Sequence, residues 1–228
     1  YIDGALSYDV IAGVKAELLK QYKNVLLVDA GDHVQGTAYG SMDKGATIVS
    51  LMNAAGYDLA TLGNHEFDYG MDGCINVRQW AQFPYISSNF YHEENGVVGD
   101  TVLDSYKLFE IGGQKIAFVG ITTPETLTSS FPAQFKDENG ELLYTFNAEK
   151  LYDVVQANVD AAKAAGAEYV IALSHIGYDE FGVLTDITDL IENTDGFDAV
   201  LDAHSHSVIE EKTVKDKSGD NVLLSSTG

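Results

Sequence analysis

Four short polar clusters hold the residues of this chain that are equipped for chemistry. They are Gly31-Asp32-His33, Gly63-Asn64-His65-Glu66, Ser174-His175 and Ala203-His204-Ser205-His206. Each follows an apolar run with the character of a strand. In order they supply a carboxylate, a carboxamide followed by an imidazole, a lone imidazole, and an imidazole pair. This mixed nitrogen and oxygen inventory suits two divalent transition-metal ions (zinc, manganese, cobalt or iron) better than calcium. A metal pair most naturally handles phosphate esters.

Taken singly, the residues say less. The two oxygens of Asp32 can bridge two cations, but most aspartates after glycine are turn or cap residues. Asn64 offers a metal a neutral carbonyl oxygen. His65 follows immediately, points elsewhere, and is free to face a substrate. Asp68, three residues on, can orient that imidazole and stabilise its protonated form. His65 would then be a general acid or would stabilise charge on a phosphoryl group; the plainer alternative is a turn with an exposed histidine. A lone strand-end histidine such as His175 is more often satisfied by a backbone carbonyl. His204 and His206 carry more weight, because residues two apart in an extended segment face one side and both rings then aim at one site. His33 and His92 receive no role and read as facing solvent or supporting a ligand from behind. The conjunction carries the argument.

These clusters need a frame to bring them together. Ala12 to Tyr22 reads as an amphipathic helix with Val14, Leu18 and Leu19 on one side and lysines on the other. Asn24 to Val28 is a short apolar run typical of a buried parallel strand. Thr47 to Ala55 and Cys74 to Gln82 are expected helices, and Tyr57 to Leu62 and Tyr85 to Ser88 expected strands. Ser105 to Glu110 and Lys115 to Ile121 read as a hairpin about Gly112-Gly113. Phe131 to Glu141 lacks periodicity and reads as an excursion. Asn147 to Ala165 is the clearest helix, stopped by Gly166. Glu168 to Ser174 and Ala199 to Asp202 are expected strands with helix Ile187 to Asn193 between them. Val208 to Val214 and Asn221 to Ser225 form a second hairpin. Strands alternating with helices give an α/β fold with a mostly parallel sheet, and sites in such sheets lie beyond the carboxyl ends of the strands. All four clusters hold that position.

Composition narrows the function classes. The 228 residues include 45% hydrophobic and 11% aromatic side chains, enough for one sizeable core, and no linker or repeat divides them. The formal net charge of -22 argues against a nucleic-acid polymer or an anionic membrane as partner, because both require positive charge. Cys74 is the only cysteine, which forbids an internal disulfide, and it reads as a small buried side chain. No apolar run is long enough to span a membrane. The first residue is Tyr1 rather than methionine, consistent with a processed or trimmed piece of a longer product.

The motifs resemble those of the calcineurin-like metallophosphoesterases. Val25 to Gly36, with Asp29-Ala30-Gly31-Asp32-His33-Val34-Gln35-Gly36, is similar to the second block of that superfamily. Thr61 to Gly70, Ala172 to Asp179 and Asp202 to Ser207 are similar to its third, fourth and fifth. Thr61-Leu62-Gly63-Asn64-His65-Glu66-Phe67-Asp68-Tyr69-Gly70 and Gly120-Ile121-Thr122-Thr123-Pro124-Glu125 resemble its 5′-nucleotidase branch.

The resemblance implies a four-layer αββα sandwich of two mixed sheets, here one domain over residues 1–228. It implies that Asp32 bridges two metals, that Asn64, His175 and His204 complete one of them, that His206 binds the other, and that His65 and Asp68 form the catalytic dyad. Asn89 lies in a similar segment and is unassigned. The implied reaction is hydrolysis of a phosphate monoester, most naturally a nucleoside 5′-monophosphate. Alternatives on the same centre are a 2′,3′-cyclic nucleotide phosphodiesterase, a nucleotide-sugar pyrophosphatase, or a metal-binding but inactive piece. The family's opening Asp-x-His is not matched before Asp32, since Asp3 and Asp9 lack the histidine. The expectation is therefore one incomplete metal site and a β-strand run at Val25 to Val28 lacking one neighbour. The family also implies a following nucleotide-binding domain and an extracellular, cell-surface or periplasmic location.

Overall fold

The computed structural model describes residues 6–36, 38–178 and 185–227. In chain order the strands are β1 (Val28–Asp29), β2 (Leu59–Thr61), β3 (Tyr85–Ile86), β4 (Tyr91–Glu94), β5 (Val97–Thr101), β6 (Tyr106–Ile111), β7 (Gln114–Thr122), β8 (Tyr144–Thr145), β9 (Tyr169–His175), β10 (Ala199–Asp202), β11 (Val208–Lys215) and β12 (Asn221–Thr227). The helices are α1 (Tyr8–Gln21), α2 (Ala38–Met42), α3 (Ala46–Ala55), α4 (Gly70–Trp80), α5 (Thr126–Ser129), α6 (Leu151–Ala164) and α7 (Ile187–Glu192).

Two sheets form the centre. The first is parallel, in the order β1-β2-β3. The second is mixed, in the order β11-β12-β10-β9-β7-β6, parallel in the middle and antiparallel at both margins. A small antiparallel sheet, β5-β4-β8, is appended.

Alternation along each strand decides the layers, because successive side chains point to opposite faces. On β7, Ala117, Val119 and Ile121 pack with Val155, Val159 and Ala162 of α6 and with Leu190 and Ile191 of α7. Phe118 points the other way and meets Leu59, Ile86 and Leu173 between the sheets. On β2, Ala60 turns outward to Ile48, Val49, Met52, Cys74 and Val77 of α3 and α4, while Leu59 turns inward. The result is helix, sheet, sheet, helix, the expected αββα sandwich. At Gly120 the two sheets touch so closely that a Cβ would stand 2.4 Å from the Ile86 carbonyl oxygen. Only glycine fits there.

Two expectations need correction. Helix α1 forms, but none of its residues is fully buried, and Val14 and Leu19 are 50% and 48% exposed. Its attachment runs instead through Lys15, whose ammonium lies 2.6 Å from the Asp58 carboxylate, and through an edge contact between Tyr8 and Tyr57. A lysine stem packs inward because Asp58 and the Gly56 carbonyl satisfy its charge. The apolar run Asn24 to Val28 contributes only Val28 to the ladder. Ahead of it the Asp58 side chain accepts the Leu27 N–H at 2.8 Å in place of a strand. Among the described residues β1 has one neighbour, and Leu26, Val28 and Ala30 are half-buried. Four features were not anticipated: α2, α5, the β4–β5 hairpin and β8.

Candidate metal centre

Parallel strands of both sheets end at one place. Asp32 follows β1, Asn64 and His65 follow β2, His175 is the last residue of β9, and His204 follows β10. Ligand atoms of Asp32, His175 and His204 lie within 4.8 Å of one another. Gly63 makes this convergence possible, since a Cβ on it would meet Asp32 Oδ1 at 2.2 Å and His175 Cε1 at 2.7 Å.

Each side chain is held from behind. His175 is buried, and its Nδ1–H donates to the Ala30 carbonyl at 2.6 Å, which fixes the tautomer and turns Nε2 to the cluster. Nε2 lies 3.0 Å from Asp32 Oδ2 but lacks the alignment of a hydrogen bond. His204 Nε2 is 3.2 Å from Glu125 Oε2, a partner that fixes the ring orientation. The two imidazole centroids are 5.0 Å apart. Asp32 Oδ1 accepts the His65 N–H at 2.8 Å. Asn64 is 4% exposed, and its Oδ1 has no hydrogen-bond partner. A buried polar atom left unpaired is costly, and Asn64 Oδ1 and His175 Nε2 are each left open to a cation. One carboxylate, one amide oxygen and two imidazoles are donors suited to zinc, manganese, cobalt or iron.

The electrostatics agree. Burial alone would raise the Asp32 carboxyl, but the charge and close contact of His175, with the His65 N–H, outweigh it and hold Asp32 well below the usual carboxylate range. Burial alone would lower His175, and the Asp32 charge overcomes it and lifts the imidazole to about 9. His204 is lowered by burial and by the neighbouring His175. A ligating imidazole must be neutral, so a cation bound here would displace the His175 proton. Behind it, burial pushes Asp202 up to about 6, tempered by the N–H groups of Ile176 and Gly177.

His65 and Asp68 stand beside this cluster. His65 Nδ1 is 2.7 Å from Asp68 Oδ2, and the side chains are 35% and 22% exposed. Nε2 is left to face outward. Ser130 Oγ binds the Asn64 carbonyl and Gln134 Nε2 binds the Phe67 carbonyl at 2.8 Å, so the excursion after β7 braces the β2 loop.

His206 is not brought into the cluster. It is exposed, and the reason lies in the backbone. His204 and His206 have φ of +85° and +55°, so the segment is turned rather than extended and its side chains do not share a face. His33 does not face solvent. It is buried against Asp29, Glu66 and Tyr85. His92 is exposed beside Tyr144. Asn89 is fully engaged, exchanging hydrogen bonds with the Thr122 backbone and donating to the Phe146 carbonyl. Asp9 is an exposed residue of α1, and Asp3 and Asp179 lie outside the described residues. Sequence reasoning gave no part to Glu66 and Glu125. Both sit inside quoted motifs; Glu66 stands beside His65, whereas Glu125 has no histidine near it in the sequence.

A carboxylate–imidazole metal centre at the strand ends of an αββα sandwich defines a metal-dependent hydrolase scaffold. A model of the calcineurin-like phosphoesterase family matches residues 7–208, and the chain belongs to that family. The 5′-nucleotidase of Diplobatis ommata is 34% identical over 200 residues, which cover 85% of this chain and 31% of the relative. A snake venom 5′-nucleotidase of Gloydius brevicauda is 32% identical over 200 residues, covering 85% of this chain and 30% of the relative. The chain thus spans about a third of the length of the curated relatives it matches. Among solved structures, a 5′-nucleotidase precursor from Thermus thermophilus aligns with a TM-score of 0.81 at 25% identity, over 96% of this chain and 43% of that one. The family implies divalent metals, and no helix among the described residues is long and apolar enough to cross a membrane.

Proposed function

We propose that this domain hydrolyses phosphate monoesters, nucleoside 5′-monophosphates foremost, at a centre where Asp32, Asn64, His175 and His204 hold a divalent cation. The observation that carries the reading is the pairing of two devices on adjoining loops. One is the buried ligand cluster; the other is the half-exposed His65–Asp68 pair, joined to it by the His65 N–H on Asp32. A bound dication polarises phosphoryl oxygens and acidifies water. Asp68 accepts from His65 Nδ1 and orients the ring. His65 Nε2 then gives its proton to the leaving alkoxide oxygen, or holds it against the charge growing on the phosphoryl group. Asp32 and His175 keep their places through backbone partners and need not move.

A second cation, with His206 among its ligands, is proposed by family likeness, as is a following nucleotide-binding domain in the longer protein. One relative is named as a snake venom protein, and on that likeness we propose an extracellular, cell-surface or periplasmic location. The turned-out His206 favours a second reading, in which the chain binds one metal without turnover. Phosphate release from nucleoside 5′-monophosphates, against release from a phosphodiester, by the purified chain with added manganese or zinc decides between them. Metal-dependent release from the monoester alone supports the proposal. Metal binding with no release from either ester supports the second reading.

A further inference from the structure

We propose that His33 is a positioning residue of the metal centre. Wedged between the Asp29 and Glu66 carboxylates, it holds together the hydrogen-bond frame that fixes the Asp32 turn, and so sets the affinity of the site for a divalent cation. The inference rests on the reading of Asp32 as a metal ligand.

The frame consists of two carboxylates. Glu66 has a fully buried side chain. Its Oε2 accepts the backbone N–H of Asp32 at 2.8 Å and of Gly63 at 2.7 Å, and its Oε1 takes the Val34 N–H at 3.5 Å. Asp29 Oδ1 accepts the Gly31 N–H at 3.0 Å. Together they gather amides from the loop after β1 and the loop after β2. This matters at Asp32, whose φ of +68° is uncommon for a residue other than glycine. Released from its partners, such a turn relaxes, and the carboxylate leaves its place opposite His175.

Glu66, fully buried, and Asp29, 17% exposed, place two carboxylates in one space, where they repel each other. The His33 ring stands between them. It is 2% exposed, with Nδ1 at 3.0 Å from Asp29 Oδ1 and 3.4 Å from Glu66 Oε1. Its other nitrogen meets the Tyr85 hydroxyl at 2.8 Å. Tyr85 belongs to β3, so the wedge ties together the loops and ends of all three strands of the smaller parallel sheet. The same three side chains could suggest a second cation site. That reading fails because backbone amides occupy three of the four carboxylate oxygens and the tyrosine occupies the second ring nitrogen.

Manganese titration by isothermal calorimetry tests this on the unsubstituted chain, His33→Phe, His33→Gln and Tyr85→Phe, with thermal melting of each metal-free protein alongside. His33→Phe is expected to bind on the order of 10–100-fold more weakly, as when outer partners of metal sites are removed. His33→Gln keeps a donor for one carboxylate and recovers part of the loss. Where His33→Phe does not fold, Tyr85→Phe decides: severalfold weaker binding at an unchanged melting temperature is the expected result. Equal manganese affinity in the folded variants and the unsubstituted chain overturns the inference. An unsubstituted chain that binds no manganese at all sinks the metal reading itself, and the two failures are thereby told apart.

Discussion

The two sides of the candidate centre are built differently. On the inner side, His175 and Asn64 are almost wholly buried, and Asp32 is pinned by the His65 amide, by the Glu66 carboxylate that accepts its own N–H, and by a neighbouring ring. On the outer side, His65 and Asp68 are partly exposed, and His206 is exposed. Burial costs a polar group its water, so the inner residues are tolerable only with fixed partners or a cation. The outer residues keep water and space, which a proton donor meeting a substrate requires. The difference separates holding a metal from handling a phosphate ester.

The largest effect is expected on the inner side. Asp32→Ala removes the carboxylate that faces both His175 and the His65 N–H. Metal affinity should fall by more than about 100-fold, beyond the loss typical of supporting residues. Calorimetric titration reads it directly. Affinity retained in this variant would erase the distinction between the two sides.

His65→Ala sharpens the same contrast from outside. Turnover should fall by roughly 10²–10⁴-fold, the usual worth of a positioned acid or charge stabiliser. Metal content should stay as it was. A variant that loses its metal would make His65 a ligand and move it to the inner side.

Much of this was legible in the sequence. Helix α6 and strands β7, β9 and β10 were plain because their apolar patterns are long and bounded by clear stops, such as Gly166. Helix α1 misled because its apolar positions suggested burial that the described structure does not provide, while Lys15 turned inward to Asp58. Asp32, His175 and His204 were each foreseen at a strand end, and the sheets bring them together. The reading that His204 and His206 share one face failed on a backbone detail, two left-handed residues, that period-two reasoning cannot contain. For His33 the choice between facing solvent and supporting a ligand stayed open, and Glu66 was given no part, for another reason. Their partners Asp29, Tyr85 and the loop amides are distributed over three strands, and only the fold shows that they meet.

The smallest effect is expected at His206. As an exposed side chain outside the cluster, His206→Ala should change the metal affinity of the inner site by about twofold or less, the range of ordinary surface substitutions. Titration beside the unsubstituted chain reads it. A loss like that of the Asp32 variant would show that the loop after β10 closes onto the metal.

Anomalous scattering from crystals of the chain grown with zinc tests the central claim most directly. The account predicts a peak at about 2.0–2.2 Å from Asp32, Asn64, His175 Nε2 and a His204 ring nitrogen, with His65 left free. A peak bound through His65, or no peak within reach of Asp32 and His175, would contradict it.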